Sequence, residues 1–116
     1  MDKTVNLELL LKFGKQAEEA AAMLRAMANE CRLLVLCHLS VSGELNVGQL
    51  ADRVGLSQSA LSQHLAKLRE QGLVSTRKEA QTVYYRLCDP KAEELLALLH
   101  DLFCPELGEG SPTQQP

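Results

Sequence analysis

At 116 residues, 46% hydrophobic and 23% charged, the chain is long enough for one domain with its own core and too apolar to be a disordered segment. Its net charge of −3 hides an asymmetry: residues 57–88 hold five basic side chains against two acidic ones, a local +3 on a body of −6. A basic stripe on an acidic body is what a phosphate-facing surface requires, with chance clustering as the plain alternative.

No apolar run approaches the roughly 20 residues that span a bilayer. "MDKTVNLELLLKF" carries charges inside its short apolar patch, against a secretory signal. Residues 6–27 have helical apolar spacing and strong helix formers, with Gly14 as a soft spot. Asn29 can cap a second helix, "ECRLLVLCHLSV", with Leu33, Leu36 and Cys37 along one face. "SGEL" reads as a short turn. Asn46 then caps "VGQLADRV", in which Val47, Leu50, Ala51 and Val54 repeat at helical spacing and Gly55 is the stop. Ser57 caps a fourth helix reaching about Gln71, with Leu61, Leu65 and Leu68 as its buried stripe and Gly72 as its end. The period then changes: "LVSTRKE" and "TVYYRLC", joined by "AQ", read as a hairpin near residues 73–88. Asp89 and Pro90 open a last helix whose Leu95, Leu96, Leu99 and Phe103 mark an interface stripe. The Gly/Pro/Gln-rich tail is expected to be disordered, which gives a domain at 1–105 and a tail at 106–116.

Helices three and four are separated by only a Gly-Leu step and its cap, a helix-turn-helix, and the hairpin behind them makes it a winged one. The fourth helix shows solvent Gln58, Ser59, Ser62 and Gln63 where surface helices usually carry Glu and Lys. Amides and hydroxyls donate to and accept from base edges, whereas carboxylates repel DNA. Ser57 places a helix N-terminus near phosphate, and Lys67 and Arg69 suit the backbone. His64 either joins this face or closes packing between helices. Arg77, Lys78 and Gln81, near the hairpin tip, are minor-groove or phosphate candidates.

"ANECRLLVLCHL", "ELNVGQLADRVGLSQSALSQHLAKLREQGLV" and "RKEAQTVYYRLCDP" resemble the ArsR-type winged-helix repressors of bacteria, over roughly residues 17–104. The resemblance implies a mainly α fold with a small β-hairpin wing, and a homodimer through the first and last helices on a two-fold operator in double-stranded DNA. The apolar helices at the two ends of the chain fit that, since so small a monomer cannot bury both.

Metal-sensing members of the family bind through cysteines near the start of helix three or through paired Asp/His and His/Glu ligands on the last helices. "ELNVGQLADRV" has neither Cys nor His, and the last helix offers only His100 and Asp101, adjacent and so on different faces. No metal site and no cofactor is expected. Four cysteines without framework spacing read as reduced thiols in a cytoplasmic protein. The "LCHL" and "LFC" cysteines, Cys37 and Cys104, are similar to the pair of a persulfide-responsive sub-branch that includes BigR and SqrR. That implies a switch in which reactive sulfur bridges the two thiols. Cys37 beside Leu33 and Leu36 also suits plain core filling. Cys31 lies about 240° around its helix from Cys37 and reads as a bystander, and Cys88 as packing. An arsenite-type sensor using Cys37, Cys104 and Cys88 is the rival within regulation. A dithiol oxidoreductase lacks the Cys-x-x-Cys it needs, so no enzyme is expected.

Overall fold

The computed structural model describes residues 7–104. Five helices, α1 (Leu7–Met27), α2 (Glu30–Ser42), α3 (Val47–Val54), α4 (Gln58–Glu70) and α5 (Pro90–Phe103), accompany a sheet of β1 (Glu44–Asn46), β2 (Val74–Glu79) and β3 (Thr82–Leu87). The tail 106–116 lies outside the described residues. Among those described, no helix is long and apolar enough to cross a membrane.

The helix starts are chemical. The side chains of Asn29, Asn46, Ser57 and Asp89 accept from backbone N–H groups of α2, α3, α4 and α5 that have no partner inside the helix. At Asn46 the exchange is reciprocal: its Oδ1 accepts from the Gln49 N–H at 2.8 Å, and its own N–H donates to Gln49 Oε1 at 2.9 Å. Gly55 closes α3 in the left-handed region at φ 73°, where a Cβ would be strained.

The sheet has the order β1-β3-β2, all antiparallel. "SGEL" therefore does more than turn: Gly43 caps α2, and Glu44–Asn46 pairs with Tyr84–Arg86. Three residues are too few to show an alternating pattern, so β1 exists because β3 offers it an edge. The hairpin turns through Ala80 and Gln81, with Ala80 at φ 57°.

The core gathers Val35, Leu36 and Leu39 of α2, Leu50 of α3, Leu61, Leu65 and Leu68 of α4, Leu73, and Leu96 of α5. Leu33 and Cys37 flank this core on α2, so Val35 and Leu39, with Leu36, are the deep residues. The expected stripe on α5 divides in the same way. Leu96 is fully buried inside the subunit, while Phe103 stays 76% exposed beside Leu98 and Leu102. Residues 7–20 of α1 are exposed throughout, Leu11 by 67%.

Candidate nucleic-acid interface and thiol pair

Helix α4 presents two chemistries because its apolar residues fall on one side. Leu61, Leu65 and Leu68 are buried, and Gln58, Ser59, Ser62, Gln63, Lys67 and Arg69 are exposed. Ser59, Gln63 and Lys67 follow at four-residue steps and form one stripe. Ser57 is committed locally: its Oγ accepts from the Ala60 N–H at 3.2 Å and lies 3.5 Å from Ser59 Oγ. What it offers a phosphate is therefore the helix end rather than its hydroxyl.

His64 resolves toward packing. Its Nδ1 accepts from Arg32 Nε at 3.3 Å, tying α4 to α2, and Arg32 Nη1 also donates to the Ala26 carbonyl at 3.1 Å. The ring is thus drawn toward α2 rather than standing free on the reading face.

The wing calls for a correction. Arg77 is not a free cation at the tip; it lies across the outer face of the sheet. Its Nε and Nη2 fork Glu44 on β1 at 2.9 Å each, and its Nη1 donates to Glu79 at 2.8 Å. Its guanidinium carbon sits 4.8 Å from the centroid of the Tyr84 ring on the intervening strand. Two carboxylates compensate its charge, and the side chain ties all three strands together. The hydrogen bonds from Arg77 hold the Glu44 carboxyl below its ordinary value, and those same carboxylates raise the guanidinium further. Lys78 and Gln81 remain exposed, and Lys78 has no ion-pair partner among the described residues. Glu44 and Tyr84 are invisible as wing residues in the sequence because their role depends on β1.

Helix α2 packs against α5, and this brings the sensing candidates into one neighbourhood. Cys37 is half-buried against the core. Cys104 caps the C-terminus of α5, its N–H donating to the His100 carbonyl at 2.8 Å, and is partly exposed. Burial first, and then the charge of Cys104, push the Cys37 thiol up. Cys88, expected to pack, is instead exposed, with its thiol donating to the Gly72 carbonyl at 3.4 Å. Among the described residues no three of His, Cys, Asp or Glu form a cluster able to hold a metal ion.

Residues 29–76, the whole of α2, α3 and α4 and the start of the wing, match the model of the bacterial regulatory proteins of the arsR family. The transcriptional activator HlyU of Vibrio cholerae is 54% identical over 95 residues, covering 82% of this chain and 87% of that one. The chain belongs to the ArsR family. It is a transcriptional regulator with a winged helix-turn-helix, and its relatives are DNA-binding regulators rather than enzymes. The structure of reduced HlyU from the same organism superposes with a TM-score of 0.77, at 54% identity, over 80% of this chain and 97% of that one. The repressor BigR of Xylella fastidiosa superposes at 0.74, with 40% identity, over 80% and 94% of the two chains. A homodimeric winged helix-turn-helix DNA-binding domain from Mycobacterium bovis, a possible ArsR-family regulator, gives 0.69 at 27% identity over 92% and 94%.

Proposed function

We propose that this ArsR-family regulator is a cytoplasmic dimeric repressor that leaves its operator when reactive sulfur bridges Cys37 and Cys104. The observation that carries the reading is the packing of α2 against α5, which brings Cys37 within reach of the charge of Cys104 although 67 positions separate them in sequence. A solved relative is described as reduced HlyU, which supports redox state as the variable.

Burial against the core raises the Cys37 thiol and slows its attack, so the first step falls to Cys104 at the open end of α5. It takes the sulfane sulfur of a low-molecular-weight hydropersulfide and expels the parent thiolate, leaving Cys104–S–SH. Cys37 accepts a sulfur in the same way from a second hydropersulfide. The terminal sulfur of one cysteine persulfide then attacks the inner sulfur of the other and expels hydrosulfide, which closes a trisulfide. The hydropersulfides are the oxidant, and two thiols and one sulfide leave. An inserted sulfur adds about 2 Å of reach beyond a simple disulfide.

A bridge joins α5 to α2, and α2 packs against both helices of the reading unit. Where α5 also builds the dimer, tying it to α2 moves one recognition helix relative to the other and spoils operator spacing. Persulfide-treated protein is expected to show a Cys37–Cys104 crosslink with added sulfur by mass spectrometry and to lose operator affinity. Cys37→Ser and Cys104→Ser are expected to bind DNA and ignore persulfide. Persulfide-induced release that persists in either variant rules the switch out. Release by arsenite that needs Cys88 replaces it with a thiophilic-ion sensor.

A further inference from the structure

Between α1, α2 and α4, behind the end of the reading stripe, lies an open cleft of about 350 Å³. Arg25, Arg32 and Lys67 line it, one from each helix, against a single carboxylate, Glu70. Arg32 is held in place by neutral acceptors only, the Ala26 carbonyl and His64 Nδ1, so it is oriented without being neutralised. The side chains of Arg25 and Lys67 have no hydrogen-bond or ion-pair partner among the described residues. Three converging cations with a net charge of +2 and an immobilised guanidinium form a receptor for an anion with several acceptor oxygens.

The position of the cleft names the anion. Lys67 ends the stripe that starts at Ser59 and passes through Gln63. At 1.5 Å per residue that stripe runs about 12 Å, close to the major-groove width of about 12 Å. With Ser59 and Gln63 in the groove, Lys67 and the cleft behind it reach the rim, where the phosphates run. We infer that Arg25 and Arg32 join Lys67 in clamping a DNA backbone phosphate, a contact that extends the footprint from the end of α4 to the end of α1. This rests on the DNA-binding reading above.

The test compares wild type with Arg25→Gln, Lys67→Gln and Glu70→Gln, each checked for an unchanged thermal midpoint. The probes are 30-base-pair duplexes selected from a random pool by the wild-type protein, and unselected duplexes of the same length. Losing one phosphate contact is expected to lower the slope of log affinity against log salt by about 0.9 per subunit and to weaken binding about eightfold at 0.1 M salt. Both effects should be equal on the two kinds of duplex, because a phosphate carries no sequence. Glu70→Gln should act in the opposite direction and tighten binding. A wild-type salt slope in both Arg25→Gln and Lys67→Gln overturns the clamp while leaving the regulator reading intact. Wild type that binds neither duplex overturns both. Millimolar inorganic phosphate that shifts the Arg25 side-chain resonances, with DNA binding unaffected by Arg25→Gln, marks a small-anion site and also overturns the clamp.

Discussion

Arg77 and Glu44 hold the wing through a charge-assisted fork, and the fork has a pH limit. The folded-state value of Glu44 is depressed, so its contribution is present above the unfolded carboxyl value of about 4.3 and is lost as pH falls through the lower folded value. The shift that the Tyr84 ring imposes on the Arg77 side-chain resonances should therefore hold from neutral pH down to about pH 4 and fade below it. In Glu44→Gln it should be weak at every pH. Because two carboxylates already offset the Arg77 charge, Arg77→Ala should flatten the salt dependence of DNA binding less than Lys78→Ala does. On the reading face, Gln63→Ala should cost about 1–3 kcal/mol of discrimination where Gln63 makes a bidentate base contact, measured as the affinity ratio between operator and scrambled duplex. The raised Cys37 thiol should alkylate more slowly at pH 8 than a free cysteine, with Cys104→Ala relieving part of the difference.

At the scale of elements, caps and turns decide the boundaries. Asn46→Ala removes both halves of the reciprocal cap on α3 and should cost about 1 kcal/mol in denaturant unfolding. Ala80 occupies the left-handed region at the wing tip, so Ala80→Gly should stabilise the protein by about 1 kcal/mol, read from the same curves. These same signals made most of the fold legible in the sequence. Asn29, Asn46, Ser57 and Asp89 cap where their side-chain chemistry implies, and Gly55 and Gly72 stop helices with positive φ. Illegible were features made by tertiary pairing. Strand β1 is three residues long and acquires its identity from β3, and the engagement of Arg77 depends on β1 in turn. The stripe on α4 was readable because exposed amides and hydroxyls alternate with a leucine face. The cleft was not, because Arg25, Arg32 and Lys67 lie on three helices whose convergence no local pattern encodes.

For the whole molecule, the measure is what one subunit leaves uncovered. The radius of gyration is 17.4 Å, against about 13 Å for a compact chain of this length. Leu7, Leu10, Leu11 and Phe13 of α1, with Leu98, Leu102 and Phe103 of α5, remain exposed. We expect these two helices to form the seam with a second copy. Leu10→Glu combined with Leu102→Glu should give a folded monomer by analytical ultracentrifugation, with operator affinity reduced to that of a single half-site.

The exposed half of α1 has a consequence for abundance in the cell if α1 forms the seam with a second copy. Residues 7–20 are exposed throughout in one subunit, and a helix of that length is marginal alone in water. If α1 and α5 form the seam with a second copy, separation into monomers would leave these leucines on a fraying segment open to proteases. Dilution and turnover then reinforce one another. A dimer joined through α1 and α5 would then be cleared faster the more dilute it is, with the cell's proteases setting the rate.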